Sequence, residues 1–360
     1  DNDNYVYHGE QNEIFNQVLS IFSGGRGVLS YASIVMSMKS LMIAITYAQN
    51  RRQFTENFQA PTPNNAEIQL IRYSTHYTSL MPLVAKSIIL SNVLHMLKQE
   101  SIKEFNDNKN TITKNIHLMT SGMKILCSEH CVQVCETTGF LCGGHGYSDY
   151  NEISRMHKDS SVFCTFEGEN CVLRQELCKN LLKKFLSKYD NKDIMNKIVL
   201  RNHINPYNLN CEQDLLDLLK NCKLCLCDKI ISDMKKRLVS NEEITTSHKF
   251  NAYNLSLTKI VKLADVIMYE KITKIYVDNA SGEQNNLSYS PELLNKFLIL
   301  FIQNFILNNY ELFASYQLIS TQQLIDIRTN HDNTCANLSL DSQEIVKEFG
   351  LPKFCTNIPL

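Results

Sequence analysis

Two short stretches in a glycine-poor chain hold residue types that could do chemistry: Gly143-Gly144-His145-Gly146 and, further on, Glu167-Gly168-Glu169-Asn170. Glycine tolerates positive φ and lets another molecule approach the backbone with no Cβ in the way. A glycine run between helices can therefore receive a ligand, or it can simply stop a helix. It is not a dinucleotide fingerprint, because the G-x-G-x-x-G spacing and a preceding strand are both missing. In the second stretch, a carboxylate beside a glycine at a break between helices is one way to present a general base to a bound substrate. The plainer alternative is an N-cap. Asn and acidic residues suit a helix start through capping and the macrodipole, and the apolar pattern Val172, Leu173, Leu177, Leu181, Phe185 follows directly. On spacing alone the cap is favoured.

Other residues invite chemistry and lose it on inspection. Cys222, Cys225 and Cys227 have C-x-x-C-x-C spacing, but they lie in a helical pattern with no second cysteine pair or histidine nearby, where zinc sites usually show two ligand pairs. No metal is expected. Cys127, Cys131 and Cys135 recur at four-residue steps on one helical face, which reads as core packing. His145 could bond a cofactor or cap the glycine turn. Thirteen cysteines in 360 residues show no secreted-type framework, so reduced thiols in an intracellular protein are expected.

The elements that must position these residues are helical. Only 12 Gly and 7 Pro punctuate the chain, and apolar residues recur at three- and four-residue steps between them. The clearest helix is 29–54, with Ile34, Met38, Leu41, Ile45 and Ala48 as one stripe and Gly24-Gly25-Arg26-Gly27 before its start. Further helices are expected at 65–100, 113–142, 171–189, 213–239, 255–277 and 291–318. Polar linkers are expected at 190–212 and 280–290, the first separating two helical parts, 1–190 and 191–360. Period-two alternation and exact repeats are missing. Lys plus Arg number 36 against 37 Asp plus Glu, a formal charge of −1, which gives no electrostatic reason to expect nucleic acid or an anionic membrane. No uninterrupted apolar run reaches the ~20 residues that span a bilayer, and no signal peptide opens the chain, so a soluble protein without a membrane span is expected. The first residue is Asp1 and not Met, which suggests that something upstream has been removed.

Taken together, "CGGHGY" followed by "CTFEGEN" closely resembles the signature of acyl-CoA oxidases, the oxygen-using relatives of acyl-CoA dehydrogenases. "GGRGVLSY…AITYAQNRRQF" is similar to the family's Arg-led helix ending in Tyr-Ala-x-x-Arg-x-x-Phe, and "NLSLTKIVKLADVIMYEKI" is similar to the helical tail of oxidases. The resemblance covers most of the chain. It implies an all-α architecture, an acyl-CoA dehydrogenase-like C-terminal helical bundle followed by a second, oxidase-type helical domain.

What the resemblance implies for function is specific. Glu167 would be the base that removes the α-proton of a fatty acyl-CoA thioester while the β-hydrogen leaves as hydride to FAD, and O2 reoxidises the cofactor with release of H2O2. Such a base must be desolvated, and the thioester oxygen must receive hydrogen bonds as enolate character builds. One donor would be the backbone N–H of Glu167, with Gly168 lying against the thioester and Arg26 near the substrate. Arg51 and Gln53 would reach the FAD of the neighbouring subunit in a homodimer. Gly143, Gly144 and Glu169 would line FAD phosphates or ribityl, the acidic Glu169 being repulsive there unless Asn170 or a backbone amide intervenes. The family's N-terminal helical domain and middle β-domain have no counterpart in these 360 residues, which look like its C-terminal half. A dehydrogenase and a non-catalytic helical interaction module are the competing expectations. The family is peroxisomal and often ends in a small-basic-Leu tripeptide, whereas this sequence ends Ile358-Pro359-Leu360.

Overall fold

The computed structural model describes residues 11–57, 59–62, 65–107, 113–187, 207–239, 245–278 and 288–352. Most of the two expected linkers, the 190/191 boundary and the C-terminal tripeptide lie outside the described residues. Helices α1 (Gln11–Asn50), α2 (Ser74–Asp107), α3 (Lys114–Leu141), α4 (Gly144–Tyr147), α5 (Ile153–Ser161) and α6 (Asn170–Ser187) are followed by α7 (Glu212–Val239), α8 (Thr246–Asn254), α9 (Leu257–Asp278), α10 (Pro291–Asn308), α11 (Tyr310–Ser315), α12 (Thr321–Leu340) and α13 (Ser342–Lys347). Strands are confined, among the described residues, to the antiparallel pair β1 (Arg52–Gln53) and β2 (Ile68–Gln69), with Arg52 opposite Gln69. The all-α expectation holds.

Local chemistry explains most boundaries. Thr113 caps α3 with its side chain toward the Ile116 N–H, Ser290 caps α10 with Pro291 in the first turn, and Ser320 forms a capping box with Gln323 on α12. Three expectations are corrected. The helix expected from Leu29 begins at Gln11 and runs unbroken through Gly24, Gly25 and Gly27, ending at Asn50 and not Phe54. The helix expected from Asn65 begins at Ser74, because Ile68–Gln69 pairs with β1 and Leu70–Arg72 forms a 3-10 turn. The helix expected to reach Leu318 stops at Asn308, where Asn309 leaves the helical region (φ −132°).

The core begins with α1 against α3, its most extensive helix pair. Ile34, Met38, Leu41, Ile45 and Ala48 are all buried, as their spacing predicts. Beside them run Ser30, Ser33, Ser37 and Ser40, also buried, with hydroxyls satisfied by carbonyls one turn back or, for Ser40, by Thr138 on α3 at 2.6 Å. Small side chains let the two backbones approach closely, while each buried hydroxyl keeps a partner. Cys127, Cys131 and Cys135 are buried on the facing side of α3, and Cys222, Cys225 and Cys227 are buried on α7, so both cysteine groups are core.

The second helical part shares this core. Helices α10 and α12 pack on α2, and α9 packs on α6 and α7. Met268 of α9 enters the space at Gly122, where an added Cβ would stand 2.0 Å from its sulfur. The stretches 21–50 and 74–104 are long and apolar enough to cross a membrane, but 61% and 83% of their apolar windows are buried inside the protein. Their apolarity serves the bundle.

Candidate functional site

The loop between α5 and α6 carries the acidic pair. A 3-10 turn at Val162–Cys164 ends α5, and then Glu167 (φ 56°) and Gly168 (φ 111°) both take positive φ. Glycine accepts that conformation readily; for glutamate it is uncommon and must be held by its surroundings. The Glu167 carboxyl group rests against α1 at Gly25, where an added Cβ would lie 2.8 Å from Cδ and from Oε1 and 3.1 Å from Oε2. Gly25, expected to precede the start of a helix, is thus a notch in a continuous one. Within the notch, Glu167 Oε2 is buried and has no hydrogen-bond partner among the described residues. Buried polar atoms are nearly always paired, so an orphan carboxylate oxygen requires an explanation.

Arg26, next along α1 and buried, fixes the backbone of that residue. Its Nε donates to the Glu167 carbonyl at 3.0 Å and its Nη1 donates to Ser121 Oγ at 2.8 Å, with His117 Nε2 3.4 Å away. Burial pulls the Arg26 pKa down, opposed by the Glu176 and Glu167 carboxylates. His117 also faces Glu176 at 3.1 Å and Ser23 Oγ at 2.7 Å, and its hydrogen bond holds the Glu176 carboxyl below the usual range.

From the other side the loop is held by Lys124 of α3. Its ammonium group donates to Cys164 O (3.1 Å), Gly168 O (2.8 Å) and Asn170 Oδ1 (2.8 Å). Asn170 is buried and donates to Ser128 Oγ and Glu129 Oε1, both at 3.1 Å. Glu129 in turn accepts two bonds of 2.6 Å from Arg174, whose Nε donates to Asp265 of α9 at 2.8 Å. Burial raises the Glu129 carboxyl, but the Arg174 bonds outweigh it and leave the group below its ordinary value. At Asp265 burial wins and the carboxyl titrates higher than usual. Glu169 performs the capping duty: its Oε2 accepts the Val172 N–H at 3.1 Å, at the start of α6. The two glutamates have divided the alternatives, one a cap and the other half-buried against α1 with one buried, unpaired oxygen.

The remaining candidates lie at the far end of α1. Arg51 and Gln53 are exposed just beyond Asn50, and the Arg51 guanidinium has no partner among the described residues. The glycine turn is near them, since Tyr47, one turn before Arg51, packs its ring on His145 at 5.6 Å. Gly143 (φ 57°, ψ −139°) and Gly144 are exposed, with no heavy atom within 4 Å of an added Cβ at either. That is open backbone beside an unpaired cation, a fit for the phosphates of a dinucleotide. Arg26 and Arg51 are 25 residues apart on this helix, about 37 Å at 1.5 Å per residue. The structure therefore gathers Glu167, Gly168, Glu169 and Arg26 at one end of the bundle, and Arg51, Gln53, Gly143 and Gly144 at the other. Sequence reasoning missed Lys124, His117 and Glu176. For Lys124 one signal existed, a lone lysine inside the run Met123-Lys124-Ile125-Leu126-Cys127.

Residues 22–182 match the acyl-CoA oxidase C-alpha1 domain family. Among curated proteins, the chain is 29% identical over 180 residues to acyl-coenzyme A oxidase 2, peroxisomal, of Arabidopsis thaliana, covering 49% of this chain and 25% of the relative. It is 27% identical over 294 residues to an acyl-coenzyme A oxidase of Debaryomyces hansenii, covering 71% of this chain and 42% of that one. Among solved structures, acyl-CoA oxidase-2 of Caenorhabditis elegans bound with FAD, ascaroside-CoA and ATP superposes with a TM-score of 0.74 at 20% identity, over 94% of this chain and 50% of that chain. At that identity the superposition establishes the fold. The chain spans half or less of the length of each of these proteins.

Proposed function

We propose that this chain, whose residues 22–182 match the acyl-CoA oxidase C-alpha1 domain family, is the C-terminal region of an FAD-dependent acyl-CoA oxidase that converts fatty acyl-CoA and O2 into trans-2-enoyl-CoA and H2O2. The observation that carries the proposal is Glu167: a carboxylate oxygen buried without a partner, on a residue held at positive φ, in a notch of α1. When bound, FAD supplies the hydride acceptor and the route by which two electrons reach O2.

Glu167 takes the α-proton onto its free carboxylate oxygen, and the pair of electrons left at Cα becomes the new C=C bond as the β-hydrogen departs as hydride. Arg26 holds the Glu167 carbonyl in place, so that the carboxylate side chain and the backbone N–H keep a fixed relation. That N–H has no acceptor among the described residues and would donate to the thioester oxygen as charge builds there. Gly168 lies beside it with no side chain to keep a thioester away. The Caenorhabditis elegans complex with ascaroside-CoA supports a CoA thioester as the substrate class.

Arg51, Gln53, Gly143 and Gly144 would hold cofactor phosphates. The roughly 37 Å along α1 is farther than one flavin dinucleotide stretches, which supports two ends serving two flavins in a homodimer, Arg51 and Gln53 reaching that of the neighbouring subunit. Glu169 would contact the ribityl or phosphate region only with the carboxylate oxygen its cap leaves free. Relatives named peroxisomal support that compartment.

The test is Glu167→Gln in the complete flavin-loaded enzyme, with the upstream domains present. Anaerobic flavin reduction by acyl-CoA should fall by about 10²–10⁴ or more, with flavin content unchanged. Reduction at the original rate would leave Glu167 a structural residue and sink the proposal.

A further inference from the structure

Lys124 is fully buried, among the largest side chains of the fully buried set. An ammonium group in that position is costly unless each of its three N–H bonds is satisfied. Here all three are, and every acceptor belongs to one seven-residue segment: Cys164 O, Gly168 O and Asn170 Oδ1. None is a carboxylate. The nearest negative group in this chain of contacts is Glu129, reached through Asn170 and already engaged by Arg174. Burial, helped by the Arg26 cation, accordingly brings the Lys124 ammonium down to about 8, against the opposing pull of Cys164, Glu169 and Glu129. A methionine of similar length would fill the space without that cost. What methionine could not do is receive carbonyls that point inward because Glu167 and Gly168 sit at positive φ.

Resting on the assignment of Glu167 as the base, we propose that Lys124 is its positioning residue. Its ammonium gathers the carbonyls on both sides of Glu167, holding the peptide in the conformation that places the carboxylate in the Gly25 notch. Arg26 fixes the Glu167 carbonyl from the α1 side, and Lys124 fixes Gly168 from the α3 side, so the base is clamped between two helices. Without Lys124, two half-buried carbonyls and one buried side-chain oxygen lose their donor, and the cheapest relief is rotation of the 168–169 peptide, which carries the Gly168 carbonyl, toward water. That rotation moves the carboxylate away from α1. The loop would open while the helices stay packed.

The experiment uses Lys124→Met in the 360-residue chain and reads the loop directly. A glutamyl-specific protease cuts after Glu167 and Glu169 when the loop opens, and mass spectrometry separates these cuts from those at Glu311 and Glu344 in the second helical part. Cutting at Glu167 and Glu169 should rise about tenfold or more with the remote sites unchanged, because local opening is governed by local bonds. If Lys124→Met does not fold, Asn170→Ser carries the test; it removes one of the three acceptors and should raise cutting at the same two sites by a smaller factor. Unchanged cutting in the folded variant, or a uniform rise at all sites, overturns the proposal. In the complete flavoenzyme, Lys124→Met should lower the rate of flavin reduction by about tenfold or more with KM little changed. Should Glu167→Gln abolish reduction while Lys124→Met leaves it intact, the positioning role falls and the base stands. Should Glu167→Gln have no effect, the base assignment falls, and the protease result decides separately what Lys124 does.

Discussion

Two regions along α1, one around Gly25 and one just beyond Asn50, are built in opposite ways. Around Gly25 and Arg26 nearly every polar group is buried and bonded: Arg26 to the Glu167 carbonyl, Lys124 to three acceptors, Asn170 to Ser128 and Glu129. The exceptions among the described residues are one carboxylate oxygen of Glu167, its backbone N–H and, five residues past Arg26, the Tyr31 hydroxyl. Around Arg51 and the glycine turn the polar groups face water, and large apolar side chains are exposed beside them, Phe140 at 77% and Tyr147 at 89%. A residue that must meet a reacting atom within a fraction of an ångström needs its surroundings fixed in advance. Residues that hold a phosphate need charge and open backbone, and they can wait for the ligand and a second surface to order them. On the proposed roles, the Gly25 region is pre-organised and the Arg51 region awaits a ligand.

If that contrast is correct, damage far from the notch but inside its bonded chain should be felt there, and Arg174 gives the largest expected loss of stability. Its guanidinium joins α3 to α9 through Glu129 and Asp265. Removing one partner from a buried ion pair costs about 3–5 kcal/mol, but the Glu129 side chain is 42% exposed and can rehydrate. Arg174→Leu should therefore cost about 2–3 kcal/mol in chemical denaturation. It should also loosen the 164–170 loop, because Glu129 is the acceptor for Asn170. A loss below about 0.5 kcal/mol would mean that the second helical part does not support the base end at all.

How much of this was legible in the sequence follows from the range of the interactions. The stripe Ile34, Met38, Leu41, Ile45 and Ala48 was legible because helix periodicity is local, and Gly143 because a glycine run between helices usually marks a positive φ. Gly24-Gly25-Arg26-Gly27 misled. By local rules it interrupts a helix, yet the missing Cβ of Gly25 answers to a carboxylate 142 positions later (25 to 167), a relation no periodicity contains. Lys124 showed only as a lone lysine in an apolar run, and its role was hidden for a similar reason: the groups it binds are mostly backbone carbonyls, which leave no mark on residue types. Both readings of the EGEN stretch were open, base or cap, and the fold assigns the cap to Glu169. That Glu167 is the base rests on the family resemblance and stands as a proposal, since spacing did not single it out.

A smaller effect with a change of sign comes from neighbouring glycines in α1. Alanine is preferred over glycine in a helix interior by about 0.5–1 kcal/mol. At Gly27 an added Cβ meets nothing within 4 Å, so Gly27→Ala should stabilise the chain by up to that amount. At Gly25 the Cβ would meet Glu167 at 2.8 Å, and overpacking of about 1–3 kcal/mol exceeds the helical gain. Gly25→Ala should lower stability by about 1 kcal/mol in urea titrations and, in the complete enzyme, slow flavin reduction by displacing the carboxylate. Equal and favourable shifts at both positions would show that Glu167 moves aside freely and that the notch holds nothing in place.

The smallest expected effect on folding belongs to Arg51, and its smallness is informative. The guanidinium is exposed with no partner among the described residues, so its removal breaks nothing in the free chain, and surface changes of this kind stay within about ±0.5 kcal/mol. Arg51→Ala should leave the unfolding midpoint of the 360-residue chain where it was. In the complete flavoenzyme the same change would remove the proposed charge-assisted, bidentate-capable contact to a phosphate, and such contacts contribute about 1.5–3 kcal/mol when formed. FAD retention on gel filtration should then fall by about tenfold or more, and dimer dissociation should rise with it if the cofactor is shared between subunits. The pattern runs opposite to that of Arg174→Leu, which harms the fold of the chain by itself. A loss of stability in the free chain on Arg51→Ala would mean that this end is already bonded within one subunit. Unchanged flavin retention in the complete enzyme would remove Arg51 from the cofactor site and leave it a solvated helix end.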